Sequence, residues 1–168
     1  MKNSPVSFNA RFFTEKEAIA IDRERERLLH LLSNRVSHSF KGNKIYRGAL
    51  SSGCLACAKG TWSCVFIHDK CTTDCFFCPG KQKAAGRNSA SAEGVAFFSP
   101  DDYADYIDKF GFKGVGFSGG EPLLVFDKLV MYIENIRKKS GNDVYIWMYS
   151  NGNLADMGKL KKLKPETV

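Results

Sequence analysis

All six cysteines of this chain fall between Cys54 and Cys78, at positions 54, 57, 64, 71, 75 and 78. A disulfide scaffold spreads its cysteines over a small, loop-rich chain. This one has 168 residues, 43% of them hydrophobic, and can bury a core without covalent staples. The cluster therefore reads as a metal-ligating region, and the fold has to present thiols close together. Length sets a second limit, because a complete α/β barrel runs to roughly 250 residues, so a whole barrel is excluded. No apolar run approaches the ~20 residues that span a bilayer, and the first residues lead into no stretch of the signal-peptide kind. The cytoplasm is the expected compartment.

The formal net charge of +7 is unevenly placed: residues 1–50 carry ten Lys/Arg and five Asp/Glu, a net of +5, leaving +2 for the rest. Arg23, Arg25 and Arg27 alternate there with Glu24 and Glu26. Such a face pairs with itself and lacks the field that phosphate contacts need, so nucleic acid is not the expected partner. Thr14, followed three residues later by Glu17, starts an amphipathic helix with Ile21, Leu28, Leu32 and Val36 at helical spacings, expected to end near Ser37. His30 and His38, eight apart with no carboxylate pattern, read as surface or packing residues.

Residues 45–50 suggest a short strand, and the small residues of 51–60 suggest a tight ligand loop. WSCVFIH (62–68), short and almost continuously β-branched or aromatic, reads as a strand buried on both faces. KQKAAGRNSASAEG (81–94) reads as a polar loop. From Ser99 the pattern becomes regular. Ser99 caps a helix opened by Pro100, Asp101 and Asp102, with Tyr103, Ile107 and Phe110 on one face and Gly111 as its stop. A strand over 113–119, a helix over about 126–139, a strand over 144–150 and a last helical stretch within 154–163 follow. The alternation β-α-β-α-β-α is that of right-handed parallel crossovers.

Cys71-Thr72-Thr73-Asp74-Cys75-Phe76-Phe77-Cys78 places three thiolates at x3 and x2 spacings directly after a predicted strand. Four thiolates close every iron of a cubane cluster, whereas three leave one iron open to an outside ligand. The alternative is a zinc site or buried thiols. Zinc loops usually pair one Cys-x2-Cys with another, and no Cys or His follows Cys78.

These residues resemble the radical S-adenosylmethionine enzymes. Cys71, Cys75 and Cys78 match the family's cluster loop, with Phe77 at the aromatic position that packs the adenine of the cofactor. Ser118-Gly119-Gly120-Glu121-Pro122 looks like the family's GGEP segment, which grips the amino end of S-adenosylmethionine, and Tyr149-Ser150-Asn151-Gly152 closes the third strand. All lie at carboxyl strand ends, where α/β barrels build their sites. Gly119 and Gly120 would let backbone approach a ligand, and Pro122 stiffens the exit. Glu121 either pairs with the cofactor's ammonium or orients the loop through backbone hydrogen bonds. Ser150 and Asn151 either bond the ribose or methionine part, or Asn151-Gly152 is simply a turn.

The resemblance implies a 4Fe-4S cluster, S-adenosylmethionine as cofactor, and reductive cleavage to a 5′-deoxyadenosyl radical that abstracts hydrogen from a substrate, in an enzyme of the activating or peptide-modifying kind. It also implies a flavodoxin- or ferredoxin-like electron donor. The expected fold is α/β, a partial (βα) barrel truncated after about three βα units. An N-terminal extension with the amphipathic helix would occupy 1–53 and the truncated core 54–168, with the missing half supplied by later sequence or a partner chain. Cys54, Cys57 and Cys64 are candidates for a second iron–sulfur cluster or a zinc, against two ordinary thiols and a core cysteine. The rival class is a noncatalytic zinc or iron–sulfur module that binds a protein or nucleic acid.

Overall fold

Thr14 Oγ1 accepts the N–H of Glu17 at 3.3 Å, and Glu17 Oε2 accepts the N–H of Thr14 at 2.9 Å. This reciprocal cap starts α1, Glu15–Leu31. The computed structural model describes residues 12–40, 42, 44–78 and 89–163, in two compact units, Met1–Ala49 and Leu50–Val168. In the first, α1 has no buried residue, and Arg27 grips Glu24 through two bonds of 2.8 Å, the self-pairing expected of this face. The helix ends six residues before the expected Ser37. Past Leu31 the N–H of Arg35 bonds back to the carbonyl of Leu32, and the chain leaves the helix through a turn. Val36 thus lies off the helix. Next comes β1, Ser37–Ser39, paired antiparallel with β2, Lys44–Tyr46, through a turn with Phe40 and Gly42 at positive φ.

The second unit begins with α2, Ser52–Ala58, where a ligand loop was expected. Ser51 caps it by accepting the N–H of Cys54 at 3.2 Å. The small residues serve helix–sheet packing: a Cβ on Gly53 would lie 3.0 Å from the Tyr145 ring, and one on Gly114 would lie 2.9 Å from Ala56 Cβ. Then follow β3 (Trp62–Phe66), β4 (Ala90–Ala92), β5 (Val95–Phe97), α3 (Pro100–Phe110), β6 (Gly114–Ser118), a 3-10 turn (Pro122–Val125), α4 (Phe126–Ser140), β7 (Tyr145–Met148) and α5 (Met157–Leu163).

The sheet order is β5-β4-β3-β6-β7, with β3, β6 and β7 parallel and the β4–β5 hairpin antiparallel. A mixed α/β architecture is thus present, and the hairpin corrects the loop expected over 81–94; residues 81–88 of that stretch lie outside the described residues. Glu93 and Gly94, both at positive φ, make the hairpin turn. The Glu93 carboxylate reaches past the single β3–β4 pair, Phe66↔Ser91, to accept the N–H of Cys64 at 3.1 Å and the hydroxyl of Ser63 at 2.9 Å. A side chain thus stands in for a ladder partner, a device that period-2 patterning does not reveal.

Burial along β3 alternates, so the expectation of a strand buried on both faces fails. Val65, Val115 and Phe117 face the helix side and join Tyr103, Ile107, Leu129 and Ile136 in the core, each fully buried. Each such side chain contributes about 1.5–3 kcal/mol. On the other face Trp147 lies across β6. Cβ atoms on Gly114 or Gly116 would come within 2.9 or 3.0 Å of its indole, and Trp62 meets it from β3 at 5.6 Å between ring centroids.

Candidate functional site

The site grows out of hydrogen bonding that continues past the strand ends. The N–H of Ile67 donates to Ser118 O at 3.0 Å, that of Gly120 to His68 O at 2.8 Å and that of Glu121 to Lys70 O at 2.8 Å. The segment leading to Cys71 therefore runs against residues 118–121 with no room for side chains between. A Cβ on Gly119, at φ +115, would lie 2.3 Å from His68 O, and one on Gly120 would lie 1.7 Å from Lys70 O. The neighbouring backbone demands both glycines, whatever ligand passes over them.

His68, which sequence reasoning did not single out, is 4% exposed. Its Nδ1 accepts the N–H of Lys70 at 3.2 Å, so Nε2 carries the hydrogen and donates to Glu121 O at 2.8 Å. The signal was available: a histidine in the last position of an apolar run, at a carboxyl strand end.

Glu121 is 1% exposed. Oε1 accepts the N–H of Leu123 at 3.0 Å and the hydroxyl of Ser150 at 2.9 Å, and Oε2 accepts the N–H of Asn151 at 2.8 Å. Of the two roles considered for this carboxylate, the contacts are those of loop orientation. A buried carboxylate needs such partners, and here they come from two strand ends. Pro122, also buried, opens the 3-10 turn that carries the chain into α4.

Asn151 is both a turn residue and a clip. Its Oδ1 accepts the N–H of Asn153 at 3.0 Å, while Nδ2 donates to Thr72 Oγ1 at 2.9 Å and lies 3.4 Å from Thr73 Oγ1 and 3.7 Å from Cys71 Sγ. Thr73, also missed in the sequence, places its hydroxyl 3.4 Å from Cys71 Sγ and 3.5 Å from Cys75 Sγ. The Thr73 hydroxyl bond is the main cause that holds the Cys71 thiol below its ordinary pKa, helped by the backbone of Thr73 and Thr72 and opposed by some burial and the charge of Glu121.

Cys71 and Cys75 thus flank Thr73, and Cys78 follows on a turn whose N–H bonds to Cys75 O at 3.0 Å. Phe77 stands 73% exposed, edge-on to Phe76. Among the described residues no three His, Cys, Asp or Glu side chains converge as they would on a single ion. A cubane asks for something else, thiolates on separate irons, and an all-sulfur donor set on one short loop, with one thiol already acidified, suits it. Cys54 and Cys57 lie on α2 and Cys64 on β3. Burial, with the charge of Glu93, pushes the Cys64 thiol above its ordinary value.

The model of the Radical SAM superfamily matches residues 65–168. The chain belongs to that superfamily. The match starts within β3 and takes in the cysteine loop, residues 118–122 and the third parallel strand end. A protein named as a glycyl-radical enzyme activating enzyme, from Methanocaldococcus jannaschii, is 27% identical over 115 residues. Those residues are 68% of this chain but 30% of that protein, so the chain spans about a third of the length of this curated relative. No solved structure matches. No described helix is long and apolar enough to cross a membrane.

Proposed function

We propose that this chain is the cofactor-holding part of a radical S-adenosylmethionine enzyme of the activating kind, with a protein as substrate. The observation that carries the reading is the junction at Glu121, where one buried carboxylate ties the second and third parallel strand ends together and Asn151 extends the tie to the cysteine loop. The name carried by the archaeal relative favours the activating kind.

In this reading Cys71, Cys75 and Cys78 hold a 4Fe-4S cluster, residues 119–122 grip the amino end of S-adenosylmethionine, and Phe77 covers its adenine. Once bound, the pair supplies reductive carbon–sulfur cleavage and a carbon radical able to take hydrogen from the substrate. The chain's own contribution is positional. His68 and Glu121 fix the loops to each other, and the two glycines bring backbone against backbone so that water is excluded between them. An outside one-electron donor of flavodoxin or ferredoxin type completes the requirement. Among the described residues β7 pairs only with β6. An open parallel edge of this kind fits a partial barrel whose further βα units, from later sequence or a partner chain, cover it.

Anaerobic reconstitution tests this. About four irons per chain and an iron–sulfur absorption band are expected, both lost in the Cys71→Ala, Cys75→Ala and Cys78→Ala triple variant. With a strong reductant and the full-length protein, 5′-deoxyadenosine should be detected by chromatography. A colourless zinc protein, or a triple variant with the full cluster spectrum, would overturn the reading.

A further inference from the structure

We propose that the cleft at the amino ends of the parallel strands is a binding site for a phosphate monoester with an apolar body. The cysteine loop lies past the carboxyl end of β3, so this is a second site, and it does not depend on the cluster assignment. Thr61, Lys113 and Val144 immediately precede β3, β6 and β7, and together with α2 and the end of α4 they line a cavity of about 450 Å³. That volume holds a small organic ligand. Three lining side chains are cationic and come from separate segments: Lys59 at the end of α2, Lys113 before β6 and Arg137 on α4. With Asp143 as the one carboxylate of the lining, the net charge is +2. None of the three cations forms an ion pair among the described residues.

The ammonium of Lys59 is not needed to close its own helix. Leu55 O accepts the N–H of Lys59 at 3.1 Å, Cys57 O that of Gly60 at 3.1 Å and Ala56 O that of Thr61 at 3.0 Å, so these carbonyls at the end of α2 are already taken. Arg137 is half-buried, and its Nη1 donates to Val144 O at 2.5 Å and to Gly141 O at 3.1 Å. Backbone carbonyls thus hold the guanidinium in place without neutralising it. A fixed planar fork flanked by two ammonium groups on flexible stems suits a dianion with several oxygens. A carboxylate would leave one of the two net positive charges unmatched, whereas a phosphate monoester carries about −1.5 to −2 near neutral pH. Leu55, 39% exposed, and Tyr145, whose ring lies against Gly53, give the same cavity an apolar wall. Inorganic phosphate would leave that wall in water; an ester covers it with its organic part.

The test is calorimetric titration of the full chain, at about pH 8 and low ionic strength, with phenyl phosphate, inorganic phosphate and benzoate as probes. Phenyl phosphate should bind more tightly than either of the others. Lys59→Gln and Lys113→Gln, both at exposed positions, should each weaken it on the order of tenfold, the range for a hydrogen bond to a charged group. Asp143→Asn, which removes the one negative charge of the lining, should strengthen it about threefold. Circular dichroism checks that each variant keeps its fold. A wild-type chain that takes up no phenyl phosphate would overturn the proposal. So would unchanged binding in the Lys59→Gln, Lys113→Gln double variant, which would place the ligand elsewhere. Benzoate bound as tightly as phenyl phosphate would overturn the dianion, and inorganic phosphate bound as tightly would overturn the ester.

Discussion

His68 Nε2 donates a 2.8 Å hydrogen bond to the backbone carbonyl of Glu121, linking the exit of one strand to the segment that follows the next. The bond is buried, and the same imidazole accepts the N–H of Lys70 on its other side. His68→Ala removes the acceptor of the Lys70 N–H and leaves the Glu121 carbonyl with the Leu124 N–H alone, at 2.9 Å. It should cost about 0.5–1.5 kcal/mol by denaturant unfolding of the metal-free chain, the net range for a lost hydrogen bond. A cost near zero would mean that the segment before Cys71 is held by its main chain alone.

Glycines in and around the sheet differ in what surrounds them, and substitution should rank them. Gly120→Ala pushes a methyl to 1.7 Å from a carbonyl oxygen that is itself hydrogen-bonded, and should destabilise by more than about 4 kcal/mol or prevent folding. Gly116→Ala meets the edge of an indole at 3.0 Å and should cost less. Gly94→Ala, with nothing within 4 Å and only its positive φ to strain, should cost about 1 kcal/mol. Thermal or urea unfolding of the three variants checks the order.

Cysteine reactivity in the metal-free chain should follow local chemistry. Cys71, acidified first by the Thr73 hydroxyl, should alkylate faster near neutral pH than Cys64, whose thiol burial holds protonated. Thr73→Val should slow Cys71 without changing Cys64. Peptide mapping after timed iodoacetamide treatment reads both rates, and equal rates at the two sites would contradict the described environment.

Burial holds the Tyr103 phenol well above its ordinary value of 10.0, and the charge of Glu93 adds to this. The folded chain then keeps a proton that the unfolded chain releases. The stability gained is fully present below about pH 10 and declines as pH rises past it. Urea midpoints measured from about pH 8 to 11 should fall for the wild type more steeply than for Tyr103→Phe. Identical slopes would place the alkaline loss elsewhere.

Strand and helix periodicity from Ser99 onward was readable because each segment there follows one local rule: a cap, a stripe or an alternation. The cysteine loop was readable because its chemistry lies in consecutive residues. What escaped depends on contacts across long sequence distances. Glu93 mending the edge of β3, His68 bonding a residue 53 positions away and Asn151 reaching back to Thr72 leave no periodic trace. The segment at 51–60 misled for another reason, since its small residues fit a tight loop and a helix laid close on a sheet equally well.

Trp147, spread over Gly114 and Gly116, acts as a vernier for the parallel strands. Sliding β6 by one residue would bring Val115 or Phe117 beneath the indole, where a side chain is crowded, so a one-residue slip of β6 against β7 is disfavoured. That fixes how far each strand projects, and hence that Ser118 and Tyr149 finish level and that the buried carboxylate of Glu121 stands within reach of Ser150 and Asn151. A change at the indole would be read at the carboxyl ends of β6 and β7 as a mismatch in height.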